Sequence, residues 1–337
     1  AAGAGAAALP RGRPALRFGA IADVQYADVE DAWNFARTER RRHRGVLESL
    51  RLAVQDWLEG PPLHFIADLG DIIDQLCETR GDSHVALERV LQRWEPIAAS
   101  TQVLHLIGNH ELYNFGRAEC ARLIPHITPW YHSFRPAAGW RVIVLDPYDL
   151  NVIERGGGEN VEEGMAYLRQ HNPNDLRAPR GSVDLGEGLL GLQRRFLPMG
   201  GGLREGQLRW LGEELRAAAA AGERAIVLTH VPLHPGATVP GGLLWNYDEA
   251  LAVLRGAGEG VVALVLAGHF HAGGYALDNA TGTHHVTLPS PLHSSPEEPR
   301  AHCCVEVWAD RVEILGQGLV PSRTLRLRPP AAAARAA

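Results

Sequence analysis

The stretch Phe65-Ile66-Ala67-Asp68-Leu69-Gly70-Asp71-Ile72-Ile73-Asp74 constrains the fold more than any other. It reads as a buried β-strand that runs out into a Gly-Asp turn. A carboxylate at the end of such a strand is held rigidly, yet faces the crevice where α/β sheets place their ligands. The same arrangement recurs along the chain. Residues 18–23 form a short apolar strand that ends in Asp23 and continues into Gln25; residues 103–107 end in Gly108-Asn109-His110-Glu111. Residues 225–229 deliver His230, and residues 261–267 deliver Gly268-His269-Phe270-His271.

Helical periodicity fills the gaps. A helix is expected over about 38–60, with Val46, Leu47, Leu50, Val54, Trp57 and Leu58 on one face, and another over 82–98 with Val85, Val90, Leu91 and Trp94 inward. Further helices are expected at 205–221 and 247–256, and a fourth strand at 141–146. Strands alternating with helices specify an α/β class. Residues 150–203 are rich in Gly, Asn and Arg and lack periodicity, so they are expected to be an insertion that caps the site. The final runs 284–288, 303–308 and 311–315 alternate like antiparallel strands. The domain is expected to span 17–328. Residues 1–16 read as a disordered tail or the remnant of an organelle-targeting segment, and 329–337 as a second tail.

Composition excludes several classes. A net charge of -6 argues against a general nucleic-acid binder. All 33 cationic side chains are Arg, which rules out Lys-dependent chemistry such as a Schiff base. No run approaches the roughly 18 apolar residues of a membrane span. Cys77, Cys120, Cys303 and Cys304 show no disulfide spacing, so reduced thiols and a cytoplasmic location are expected; the chain is also expected to be a monomer. The run Arg40–Arg42 reads as a solvated face, with anion attraction as the lesser alternative.

The strand-end residues form a set: Asp23, Gln25, Asp71, Asn109, His110, His230, His269 and His271. Carboxylate, amide oxygen and imidazole suit Mn²⁺, Fe or Zn²⁺, and thiolates are missing from the set. Two ions sharing Asp71 as a bridge would explain why so many ligands are supplied. The single-residue gap between His269 and His271 puts both rings on one side of an extended segment, which suits two ions better than one. Each motif alone is compatible with an ordinary turn; their joint occurrence, each after an apolar strand, is not. His43, His64, His84, His105, His126, His171 and His285 carry no such motif and are expected to be structural.

The order Asp23-x-Gln25, Gly70-Asp71-x-x-Asp74, Gly108-Asn109-His110-Glu111, His230, Gly268-His269-x-His271 resembles the calcineurin-like metallophosphoesterase superfamily. Gln25 replaces the His with which that superfamily usually starts. With Asn34-Phe35-x-Arg37-Thr38, His230-Val231-Pro232-x-His234-Pro235-Gly236 and Trp245-Asn246-Tyr247, it resembles more closely the manganese-dependent ADP-ribose/CDP-alcohol diphosphatases. The resemblance covers about residues 17–328. It implies a four-layer αββα sandwich with two mixed β-sheets and the capping insertion. It also implies two divalent ions, Mn²⁺ first, with Fe, Zn²⁺ or Mg²⁺ as alternatives. Asp23, Gln25, Asp71 and His271 would hold one ion, and Asp71, Asn109, His230 and His269 the other. His110 would face the scissile phosphate, with Glu111 or Asp74 orienting it. Gln25, a neutral amide, should bind its ion more weakly than an imidazole would.

The implied reaction is attack on phosphorus by a metal-bridging hydroxide, cleaving the phosphoanhydride of a small nucleotide substrate. ADP-ribose would give AMP and ribose 5-phosphate, and CDP-choline CMP and phosphocholine. Phe35 is a candidate to stack on the base, with local packing under its loop as the equal alternative, and Arg37 a candidate to meet a phosphate, with a surface salt bridge as the equal alternative. Three alternatives stay open at this point: a metallophosphoesterase acting on cyclic nucleotides or phosphomonoesters, a phosphoprotein phosphatase, and a non-catalytic scaffold of the same fold.

Overall fold

A computed structural model describes residues 12–34, 37–127, 131–178 and 182–330. The expected tails fall largely on residues 1–11 and 331–337, outside the described residues. The ordered chain starts earlier than expected: Ala15 N–H donates to the Val307 carbonyl (2.7 Å), and Leu16 is fully buried.

The first strand, β1 (Leu16–Ile21), turns Leu16, Phe18 and Ala20 to one side and Gly19 and Ile21 to the other. A two-residue pairing of β2 (Ala32–Trp33) with β3 (Arg40–Arg41) follows, then α1 (Val46–Glu59). The helix expected from residue 38 therefore starts late. The Asn34 side chain accepts from Thr38 N–H (2.9 Å) and closes a turn that commits this backbone to a hairpin. Strand β4 (Phe65–Asp68) leads through α2 (Leu76–Arg80) to α3 (Ser83–Ala98), and β5 (Val103–His105) leads to α4 (Asn109–Asn114) and α5 (Arg117–Leu123). Two side chains expected inside are out: Leu58 is 48% exposed and Val85 52%. At about 100° per residue, Leu58 lies about 90° from the centre of the buried stripe, and Val85 about 140° from Val90.

The second half contributes β6 (His132–Ala137), β7 (Trp140–Val144), α6 (Glu159–His171), α7 (Glu205–Ala220), β8 (Arg224–Leu228), α8 (Tyr247–Gly256) and β9 (Val262–Ala267). It ends with β10 (Gly274–Asp278), β11 (Thr283–Thr287), β12 (Ala301–Val307), β13 (Arg311–Gly318) and β14 (Arg323–Arg326). Strand β6 escapes sequence reading because it carries Arg135 and Pro136; as an edge strand it tolerates both. The region 150–203 is not structureless: α6 packs Leu168 with Leu150, Phe196 and Trp245 into a small separate core.

The strands form two six-stranded sheets, β14-β13-β12-β1-β4-β5 and β10-β11-β9-β8-β7-β6. Both are mixed. In the first, β1, β4 and β5 are parallel and β12 to β14 antiparallel; in the second, β7, β8, β9 and β11 are parallel with antiparallel edges. Strand β11 thus joins β9 in parallel, against the antiparallel expectation for that run.

The period-2 rule sorts the core. Phe18, Phe65, Leu104, Trp140, Val142, Ile226, Leu264 and Val305 belong to one cluster packed between the sheets. Ile21, Ile66, Ile143, Val227 and Val265 join Leu50, Trp57, Trp94, Leu211 and Leu251 of the helices in another. Helix, sheet, sheet, helix is the αββα order. No described helix is long and apolar enough to cross a membrane.

Candidate metal centre

The parallel strands β1, β4 and β5 of one sheet, and β8 and β9 of the other, end at the same edge, so their following residues meet there. Backbone bonds stitch the segments together: Leu69 N–H to Ile21 O (2.9 Å), Asp23 N–H to Gly70 O (3.0 Å), Gln25 N–H to Asp71 O (2.8 Å) and Gly268 N–H to His230 O (2.9 Å). The two sheets are joined by His230, whose Nδ1–H donates to the Leu69 carbonyl (2.7 Å).

This convergence strains the backbone. Among the described residues, six non-glycine positions have left-handed φ, and four of them are Asp23 (56°), Gln25 (44°), Asp71 (61°) and His269 (66°). Such conformations persist where surrounding structure over-determines them, commonly at functional sites. The motif glycines serve close approach instead. A methyl group at Gly108 would overlap the Asp71 carboxylate, and one at Gly268 would sit 2.6 Å from Asp23 Oδ2.

The structure brings the expected ligands into one buried cluster. Asp71 Oδ2 lies 2.9 Å from Gln25 Nε2 and 3.3 Å from His230 Nε2. Gln25 Nε2 is 2.9 Å from His271 Nε2, and Asn109 Oδ1 is 2.9 Å from His269 Nδ1. Asp23 Oδ1 is 3.6 Å from His271 Nε2, while both Asp23 oxygens accept the His269 amide (3.1 and 2.9 Å). Ligand atoms about 2.1 Å from one octahedral ion sit about 3 Å apart, which the Asp71–His230 (3.3 Å) and Asp23–His271 (3.6 Å) spacings approach; Gln25 would turn its amide to bring Oε1 to the ion.

Hydrogen bonding leaves the atoms a cation would need. Gln25 Oε1, His230 Nε2 and His269 Nε2 are buried without a hydrogen-bond partner, which is costly unless something else satisfies them. With Nδ1 of His230 committed to the Leu69 carbonyl, Nε2 is the nitrogen that faces Asp71 and that a cation would share with it. Burial opposes charge on His230, yet the Asp71 carboxylate pushes its pKa up to about 10. The same burial raises Asp23, while His230 and His110 hold Asp71 far below the usual carboxylate range. Carboxylates that draw a proton onto a buried imidazole would equally hold a cation. His269 is held neutral, its pKa pushed down to about 3 by burial and His230; burial, Arg41 and His293 do the same to His271. Neutral imidazole is the form that ligates.

His110 enters differently. Its Nδ1 accepts Gln75 N–H (2.7 Å), so Nε2 carries the proton and points its side 3.9 Å from Asp71 Oδ2. Of its two expected orienting partners, only Asp74 is near, with Oδ2 3.7 Å from Nδ1. Glu111 instead accepts the backbone N–H of Asp71 (2.8 Å), Ile72 (2.7 Å) and Gly108 (2.7 Å), and so fixes both turns at once. Burial and the Asp71 charge push its pKa up to about 8, against the three N–H groups that favour the ion.

Several contributors had no signal in the sequence. His43, expected to be structural, has Nδ1 3.1 Å from the Gln25 carbonyl, and Ser290 Oγ donates to the Asp23 carbonyl (2.7 Å). The Tyr148 hydroxyl donates to Asn109 Oδ1 (3.0 Å). The Arg run is not simply a solvated face: Arg40 is exposed, but Arg41 is half-buried, with a buried Nε that has no partner. Phe35 lies outside the described residues. Arg37 is exposed in the turn and has no hydrogen bond or ion pair to the cluster among the described residues.

Comparison with known proteins agrees with this geometry. Residues 16–273 match the family model described as calcineurin-like phosphoesterase. The chain is 36% identical over 330 residues to the Danio rerio protein named manganese-dependent ADP-ribose/CDP-alcohol diphosphatase, covering 93% of this chain and 98% of that one. The Homo sapiens protein of the same name is 34% identical, with 92% of each chain covered. A solved structure of a dimetal phosphatase from Danio rerio superposes with a TM-score of 0.84 at 36% identity, covering 94% of this chain and 100% of that one. The chain belongs to the calcineurin-like phosphoesterase family, and within it to the family of manganese-dependent ADP-ribose/CDP-alcohol diphosphatases.

Proposed function

We propose that this chain hydrolyses the phosphoanhydride of nucleoside diphosphate-linked small molecules, taking ADP-ribose to AMP and ribose 5-phosphate and CDP-alcohols to CMP and the phospho-alcohol. The observation that carries this reading is Asp71: one buried carboxylate with donor atoms from both sheets around it and orphaned lone pairs beside it. Relatives named for this activity and for manganese, matched over nearly the whole chain, support the substrate class and the metal.

Asp23, Gln25, Asp71 and His271 would hold one divalent ion, and Asp71, Asn109, His230 and His269 the other. When bound, such ions act as Lewis acids on the phosphoryl oxygens and lower the pKa of water toward neutrality. His110 presents Nε2–H to a non-bridging oxygen as charge builds there, held by the Gln75 amide behind it. Arg41, half-buried beside His271, offers positive charge for the second phosphate. Phe35 and Arg37 are the proposed contacts to base and phosphate, and the 150–203 segment the proposed wall. A cytoplasmic location is proposed, supported by four free cysteines, of which Cys77, Cys120 and Cys303 are buried, and a monomer is the proposed working form.

The test is hydrolysis of ADP-ribose, CDP-choline and p-nitrophenyl phosphate with Mn²⁺, with Mg²⁺ and after chelation, on wild type and Asp71→Asn. Mn²⁺-dependent release of AMP and CMP, lost in Asp71→Asn, is expected. Turnover of the monoester alone would keep the metal centre and refute the substrate class.

A further inference from the structure

Outside the proposed ligand set, the residue most firmly aimed at it is Tyr148, in the turn after β7. Its ring is fully buried, with the centroid 6.1 Å from that of His230. The main chain is fixed from both directions. Tyr148 N–H donates to Asp146 Oδ1 (3.0 Å), and its carbonyl accepts from Arg117 Nη2 (2.6 Å) and Asn151 Nδ2 (2.8 Å). The hydroxyl at the end of this braced side chain donates to Asn109 Oδ1 at 3.0 Å, with the Met199 carbonyl more distant at 3.5 Å.

A carboxamide is ambiguous as a ligand. Its oxygen has two lone pairs for a cation, whereas its NH₂ has none, and a half-turn about the last bond exchanges them. A donor that grips one lone pair fixes the rotamer, and the other lone pair accepts from His269 Nδ1–H, 2.9 Å away, in the place that an ion held by Asn109 and His269 would take from that proton. We propose that Tyr148 is a positioning residue that locks Asn109 with its oxygen toward the ion shared with His230 and His269, and thereby sets the affinity of that one site. The proposal rests on the two-ion reading above and adds the group that makes the two sites unequal partners of the fold. Loss of the hydroxyl frees the amide to turn. Removing the hydrogen-bond partner of a metal ligand commonly weakens metal binding about 10–100-fold.

Calorimetric titration of chelator-stripped protein with Mn²⁺ tests this on wild type, Tyr148→Phe, Asn109→Asp and the double variant. Wild type is expected to bind two ions. Tyr148→Phe should bind one with unchanged affinity and the other about 10–100-fold more weakly. In the Asn109→Asp background, where either carboxylate oxygen serves, adding Tyr148→Phe should leave the isotherm unchanged. Two unchanged constants in Tyr148→Phe, equal weakening of both sites, or the same weakening in the Asn109→Asp background would each overturn the proposal. So would loss of the folded circular-dichroism signal, which would assign the hydroxyl to the fold. In all these cases the two-ion reading stands. A wild type that binds fewer than two ions would instead refute that reading, and the proposal with it.

Discussion

Gln25 and His110 show how single side chains tune this centre. Gln25 fills a proposed ligand position with a neutral amide, and its Oε1 is buried without a partner. An imidazole there would be a stronger donor to a transition metal. Gln25→His is therefore expected to lower the Mn²⁺ concentration for half-maximal activity, read from an activation curve; a rightward shift would contradict the ligand role. For His110, the Gln75 amide fixes the tautomer that presents Nε2–H. Removing one such donor from a phosphoryl-transfer site should cost about 10²–10³-fold in kcat. His110→Ala tests this in steady-state kinetics, and an unchanged kcat would remove the residue from the chemistry.

Elements decide where these side chains can stand. Strand ends were legible because apolar runs followed by Asp, Asn or His recur along the chain, which separate turns do not require, and the residues read this way do converge on one edge. What supports them was not legible, because it depends on contacts across sequence. Arg117, at the start of α5, is 6% exposed and binds Asp146 Oδ2 (2.6 Å), Glu154 Oε2 (2.9 Å) and the Tyr148 carbonyl. Nothing near Arg117 in the sequence announces partners about 30 residues away. Likewise, periodicity could not show that residues 40–41 would pair with 32–33 rather than begin α1, since a local turn bond decided it. Arg117→Met would strand two carboxylates in a buried place, and should cost about 3–5 kcal/mol in urea denaturation. A cost under about 1 kcal/mol would mean that solvent already reaches the network.

At the scale of the whole molecule, folding brings two sheets together so that each supplies part of one site, and it buries imidazoles in the process. Away from the metal cluster, His285 is 2% exposed with neither ring nitrogen bonded; burial, then His234, push its pKa down to about 3. Burial lowers His302 to about 4, although Asp56 opposes it. Both values lie below the ordinary His pKa of about 6.5, so the unfolded chain binds more protons in between. The stability they contribute is complete above about pH 6.5 and is lost as pH falls toward 4 and 3. Thermal melts should show the midpoint falling through this window, and His285→Phe should flatten the slope by about one proton. An unchanged slope would contradict the buried neutral state. The central claim is a two-ion centre bridged by Asp71, and anomalous diffraction from crystals soaked in Mn²⁺ tests it most directly. Two peaks are expected flanking the Asp71 carboxylate, one touching Asp23, Gln25 and His271 and the other Asn109, His230 and His269; a single peak, or peaks away from Asp71, would refute the shared centre.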